Sequence, residues 1–215
     1  MNLVELAQTE LGLRIDSRAE ALLAQLRTDL QRENQSFNLT ALTTDSEIDL
    51  KHILDSLTLL WAESPAPGEH LCDIGSGAGF PGLPLAIVRP DLHLDLLEGT
   101  RKKAAYLERE VGRLGLAAVR VIPERSEVWS RGAGHEAYDL AVARAVAPLE
   151  RLLGYVWPLL KPGGRFWALK GPKAPAEVAA AAARARVLGA APPEIRQIHL
   201  PGVGERFLVR YRRPG

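Results

Sequence analysis

The stretch Leu71-Cys72-Asp73-Ile74-Gly75-Ser76-Gly77-Ala78-Gly79-Phe80 decides the fold. A short apolar run ends in three glycines, and a helix-forming segment, Pro84–Val88, follows. Glycine permits a positive φ and lets the backbone approach a ligand closely. The N-terminus of the following helix offers unpaired N–H groups with a partial positive charge. In open α/β sheets the ligand crevice lies at the carboxyl end of such a strand. A bare strand-to-helix turn would use the same glycines, so the flanking residues must decide.

Outward from the loop, the chain alternates. Strands are expected at His70–Ile74, Leu92–Leu97, Ala118–Ile122, Tyr138–Ala143 and Arg165–Leu169. Helices are expected between them at Pro84–Val88, Arg101–Leu114 and Pro148–Leu160, and the alanine-rich stretch Glu177–Ala185 also reads as helix. This alternation predicts a parallel sheet with helices on both faces. The tail departs from it: Glu194–Leu200 and Arg206–Arg212 flank Pro201-Gly202-Val203-Gly204, which reads as a β-hairpin.

Before the turn-rich Ser64-Pro65-Ala66-Pro67-Gly68 the pattern is helical. Ser17-Arg18-Ala19-Glu20 and Thr44-Asp45-Ser46-Glu47 both have capping-box form and open apolar-periodic segments. Ser36–Thr40 reads as the loop between them. The division expected is an N-terminal helical extension, residues 1–63, on an α/β domain of residues 64–215.

Spacing separates two cofactor classes. Dinucleotide sites favour G-x-G-x-x-G, whereas here the glycines follow G-x-G-x-G with Asp73 two residues before the first. S-adenosylmethionine has no pyrophosphate to cradle; its amino and sulfonium cations favour a carboxylate such as Asp73. Glu98 ends the next apolar run, 19 residues after Gly79 (98 − 79). An acid there can accept both ribose hydroxyl hydrogen bonds. Ser126, in Glu124-Arg125-Ser126-Glu127, reads either as an adenine contact or as a helix N-cap. The fold class expected is therefore α/β: a Rossmann-like class I S-adenosylmethionine-dependent methyltransferase sheet with a C-terminal antiparallel hairpin.

The net charge of +1 is unevenly spread. Residues 1–63 hold 5 Lys+Arg and 11 Asp+Glu, a net of −6, leaving +7 for residues 64–215. A basic body suits a polyanion, and ordinary surface charge accounts for it equally well. Met1–Leu13 lacks the form of a secretory signal. No apolar run approaches the roughly 20 residues of a membrane span. The one cysteine, Cys72, excludes an internal disulfide and reads as core. A cytoplasmic monomer is the simple expectation.

Several segments make the match closer than a fold class. They are Asn38-Leu39-Thr40, His52-Ile53-Leu54-Asp55-Ser56-Leu57, Asp73 through Ile87 with its Gly-Phe-Pro-Gly-Leu-Pro-Leu core, Arg101-Lys102-Lys103, Ala143-Arg144-Ala145 and Leu169-Lys170-Gly171. On these the chain resembles the bacterial 16S ribosomal RNA guanine-N7 methyltransferase family, once called glucose-inhibited division protein B. The resemblance implies methyl transfer to N7 of one guanine in small-subunit ribosomal RNA. It implies a cofactor site on Gly75, Gly77, Phe80, Glu98, Ser126, Glu127 and Arg144, to which the loop reading adds Asp73 and Gly79.

N7 of guanine carries an in-plane lone pair at neutral pH, so no general base is required and none is nominated. Transfer then depends on proximity and orientation. Arg144 and Lys170, at the ends of the fourth and fifth strands, are the candidates for positioning guanine, with Arg144 alternatively on the cofactor. Asn38, His52, Arg101, Lys102, Lys103 and Lys170 are the RNA-binding candidates. Cations at a helix N-terminus oppose its dipole, which suggests an outside anion; a solvated helix face fits as well. No metal site is expected.

Overall fold

A computed structural model describes residues 2–215; Met1, the first residue of the stretch read for a leader, lies outside them. The sheet strands are β1 (His70–Ile74), β2 (His93–Leu97), β3 (Val119–Ile122), β4 (Tyr138–Arg144), β5 (Leu160–Lys170), β6 (Glu194–Leu200) and β7 (Gly204–Arg212). Their order is β3-β2-β1-β4-β5-β7-β6. The first five are parallel, and β7 runs antiparallel to both neighbours. The chain steps outward from β1 to β3, then returns to lay β4 on the other side of β1. The crevice at such a reversal opens at the carboxyl ends of β1 and β4.

Side chains alternate between the two faces of the sheet. Leu71, Leu94, Leu96, Leu140, Val142 and Trp167 belong to one core. Cys72, Ile74, Leu97, Ala141, Ala143 and Phe166 belong to the other. The first core is covered by α5 (Gly82–Val88), α6 (Arg101–Leu114) and the N-terminal helices; the second by α8 (Leu149–Val156) and α9 (Ala174–Val187). Burial on both faces explains why the central strands read as continuous apolar runs.

The N-terminal layer contains α1 (Leu3–Leu11), α2 (Ser17–Phe37), α3 (Asp45–Ile48), a π-helical segment (Asp49–Leu54) and α4 (Asp55–Ala62). Leu23, Leu26 and Leu30 of α2 join the same core as Leu83 and Leu107 of the main sheet's helices.

Several boundaries differ from the sequence reading. α1 was not expected, yet Asn2 and Glu5 form a complete capping box. The N-cap of α2 is Asp16, whose carboxylate accepts from Ala19 N, so Ser17 is already helical. The Thr44 cap is made as expected, with Glu47 N donating to the Thr44 hydroxyl. α2 continues to Phe37, and Asn38 ends it with a φ of 47°. Its extra turn is held because the Asn34 amide brackets Thr40, donating to its carbonyl and accepting from its N–H, both at 2.9 Å. The helix expected through Leu160 stops at Val156; a 3₁₀ turn over Trp157–Leu159 leads into β5 at Leu160.

Candidate active site

Two acids, Asp73 and Glu98, hold the loop after β1 by accepting from main-chain N–H groups. Asp73 is fully buried, and its Oδ2 accepts from Gly82 N at 2.9 Å, capping the first turn of α5. Its Oδ1 is buried without a partner. Burial pushes its carboxyl up to about 7. Glu98, past the end of β2, reaches across the crevice: Oε2 accepts from Gly77 N at 3.0 Å, and Oε1 from Thr100 N at 2.7 Å. One carboxylate thus fixes both the glycine loop and the start of α6.

The loop glycines do different work. Gly75 has a φ of 68°, and a Cβ there would lie 2.8 Å from Val146 Cγ2. Gly79 has a φ of 96°, and a Cβ there would strike Leu83 Cδ1 at 2.3 Å. Gly79 therefore serves helix–loop packing, and Gly75 lines the crevice. Phe80 is buried, stacked on His52 with ring centroids 4.5 Å apart.

The crevice holds a cavity of about 260 Å³ lined by Gly75, Glu98, Ser126, Glu127, Val146 and other residues. Ser126 opens the short helix α7 (Ser126–Trp129), but the N-cap is Arg125, so the capping alternative for Ser126 is not realised. Its hydroxyl donates to Glu127 Oε2 at 3.0 Å.

A second cavity, about 560 Å³, opens on the other side of Val146. Lys51, Arg144, Lys170 and Arg206 line it. Arg144 is the strap of this site. Its Nη1 donates to Asp55 Oδ2 (2.9 Å) and Lys51 O (3.0 Å), and its Nη2 donates to His52 Nδ1 (2.9 Å). Its guanidinium also sits 5.4 Å from the Phe80 ring centre. Arg206 of β7 donates to the other oxygen of Asp55 at 2.7 Å. The π-helical segment supplies Lys51 and His52, and Asp55 opens α4 directly after it; π-turns are rare and often mark functional sites.

Because Arg144 can only donate, His52 Nδ1 accepts and Nε2 carries the ring proton toward Thr40 Oγ1, 2.7 Å away. Burial, with the neighbouring Arg144 charge, pushes the imidazole down to about 4. Lys170 is buried and donates to Ala147 O and Glu177 Oε2, each at 2.8 Å. Glu177 Oε2 also accepts from Leu149 N.

The structure brings Arg144, His52 and Lys170 to one cavity, and Gly75, Glu98, Ser126 and Glu127 to the other. Asn38 and Arg101–Lys103 line neither, and Asp73, Gly77, Gly79 and Phe80 stand behind the crevice wall without lining either cavity. Asn38 is an exposed helix cap, and Lys102 lies over the Phe37 ring at 4.5 Å. Sequence reasoning missed the roles of Asp55, Val146, Glu177 and Arg206. Asp55 stood three residues after His52, one helical turn away, and was legible as its neighbour. Arg206 had no local signal.

The geometry fits S-adenosylmethionine. The partnerless Asp73 oxygen suits a cationic amino group, Gly75 presents backbone without a side chain of its own to the crevice, and Glu98 has free lone pairs for a diol. Comparison with known proteins agrees. The chain resembles in fold a SAM-dependent O-methyltransferase from Thermotoga maritima: TM-score 0.56, 16% identity, 86% of this chain and 71% of that one. It also resembles a precorrin-6y C5,15-methyltransferase from Geobacter metallireducens: TM-score 0.57, 12% identity, 74% and 87%. In sequence it is 44% identical over 204 residues to the ribosomal RNA small subunit methyltransferase G of Roseiflexus castenholzii, covering 94% of this chain and 86% of that protein. The protein of the same name from Pelotomaculum thermopropionicum is 41% identical over 208 residues, covering 96% and 87%. The family model for GidB, described as rRNA small subunit methyltransferase G, matches residues 19–207. A Rossmann-like crevice shaped for a methyl donor, with this extent of likeness, assigns the chain to the GidB family of small-subunit rRNA methyltransferases.

Proposed function

We propose that the protein transfers a methyl group from S-adenosylmethionine to N7 of a guanine in 16S ribosomal RNA, working as a cytoplasmic monomer. The observation that carries the choice of N7 is that the acceptor cavity holds no uncommitted base. Asp55 is tied to Arg144 and Arg206, Glu177 to Lys170, and both His52 ring nitrogens are engaged. Methylation of an exocyclic amine needs a proton removed; methylation at N7 does not.

When bound, the cofactor supplies an electrophilic methyl on its sulfonium. Glu98 holds the ribose, and the Gly75–Gly77 backbone, with Asp73 beneath it, receives the amino-acid end. Ser126 and Glu127 border the adenine. Gly79 and Phe80 hold the loop in shape, Phe80 through its stack on His52. Arg144 orients guanine from one wall of the second cavity. Lys170 positions the loop carrying Ala147 through its bond to that carbonyl. Arg101, Lys102 and Lys103, with Asn38 beside them, meet phosphates outside the cavities. Residues 1–63 act as an extension whose His52 and Asp55 complete the acceptor wall for the domain of residues 64–215. No helix among the described residues is long and apolar enough to cross a membrane, in keeping with this location.

The test is labelled methyl transfer to small-subunit RNA lacking the modification, with the product mapped. N7-methylguanosine is expected; a product methylated at another atom overturns the reading.

A further inference from the structure

Val146 lines both cavities, and nothing described so far explains its position. It is 39% exposed, and its side chain lies against Gly75. Its methyl Cγ2 fills the room that Gly75 leaves by lacking a Cβ. A ligand seated on the loop backbone at Gly75 needs that same room.

The chain around Val146 is anchored on both sides. Arg144 is strapped to the π-helical segment through Lys51 O and His52, and to Asp55 at the start of α4. Ala147 O is held by Lys170, and Leu149 N by Glu177. Between these anchors stand two residues. Ala145 has a φ of 57°, the left-handed region that non-glycine residues adopt only at a cost. The conformation that lays Val146 on Gly75 therefore carries backbone strain, released if residues 145–146 swing away.

We propose that Val146 is a latch between the cofactor and acceptor cavities: its side chain lies on Gly75, and the incoming methyl donor displaces it. The inference rests on the methyl-transfer reading. It makes donor binding the event that redraws the wall shared by both cavities, so the donor binds before guanine is seated. Val146 is a positioning residue; it touches neither proton nor leaving group.

Two substitutions push the latch in opposite directions. Val146→Ala removes the competing methyls, so the donor no longer has to displace them. Ala145→Gly removes the strain from the covered conformation and so favours it. Titration calorimetry with S-adenosylhomocysteine reads both. Val146→Ala is expected to bind about threefold to tenfold tighter than the parent protein, and Ala145→Gly about threefold to fivefold weaker. Generic loosening of the loop would move both affinities in one direction. Shifts of the same sign, or no shift in either variant, overturn the latch while leaving the methyl-transfer reading intact. A parent protein that takes up no S-adenosylhomocysteine overturns that reading and the latch with it.

Discussion

The two cavities on either side of Val146 are built from different materials. The cofactor side is made of backbone: three glycines, a helix start and carboxylates that accept from main-chain N–H groups. Its glycine loop and Glu98 lie within one βαβ run of the chain, and Ser126 and Glu127 follow the next strand. The acceptor side is made of side chains drawn from residues 51–55, 144, 170, 177 and 206, each cation already matched to an acceptor. The first kind of site is held by the fold itself. The second is held by a network of buried charges, and such networks fail sharply when one member is removed.

Four tests sharpen this contrast. Arg144→Ala should have the largest effect. It leaves Asp55 half-paired, His52 without its donor and the π-helical segment unstrapped, at a cost of about 3–5 kcal/mol in unfolding free energy. Chemical denaturation measures that cost, and methyl transfer should be lost. Arg144→Lys should not restore it, since a single ammonium cannot reach Asp55, His52 and Lys51 O together. A variant as stable as the parent would show that the strap is not what holds the acceptor wall.

Gly75→Asp should act on the other side. The new side chain meets Val146 and needs a φ that costs an L residue about 1–2 kcal/mol. Donor affinity should fall at least a hundredfold by calorimetry, with RNA binding little changed. Equal loss of both would break the division between the two regions.

The third test uses pH. His52 in the folded protein titrates near 4, below its ordinary value of 6.5. The unfolded chain takes up a proton below about 6.5 that the folded one refuses. The neutral imidazole's contribution is therefore present above that pH and lost as pH falls toward 4, by on the order of 2–3 kcal/mol. Asp73 and Glu110, both pushed up to about 7 by burial, act with the opposite sign. The His52 share is read as the difference between the parent and His52→Gln, which should lack this acid-side loss. Parallel stability curves would refute it.

Lys102→Ala should have the smallest effect. Lys102 is exposed, over Phe37 and outside both cavities. RNA affinity should drop a few-fold, with the slope of log affinity against log salt reduced by about 1, and donor affinity unchanged.

The same contrast sets what could be read from sequence. The glycine loop, Glu98 and six of the seven strands were legible to within a residue or two, because apolar runs and turn chemistry are local. β5 was the exception: Arg165–Leu169 marked only its buried half, since Pro162-Gly163-Gly164 reads as a turn. Arg144 and Lys170 were legible as positions on the rim, at strand ends. Their partners were not. Asp55–Arg206 spans 151 residues and Arg144–Asp55 spans 89, and no local pattern encodes such pairs. Asp73 was legible as an acid beside the loop, but its service as the cap of α5 depended on a bend that only the folded loop displays.

The Asp55 pair has a consequence for synthesis. One of its arginines lies on the last strand, which inserts between β5 and β6 rather than adding at the sheet's edge. The glycine loop and Glu98 can meet as soon as β2 has emerged, whereas the acceptor wall must wait for Arg206. A nascent chain can thus bring the glycine loop to Glu98 early but has no finished place for a nucleobase until β7 has been made.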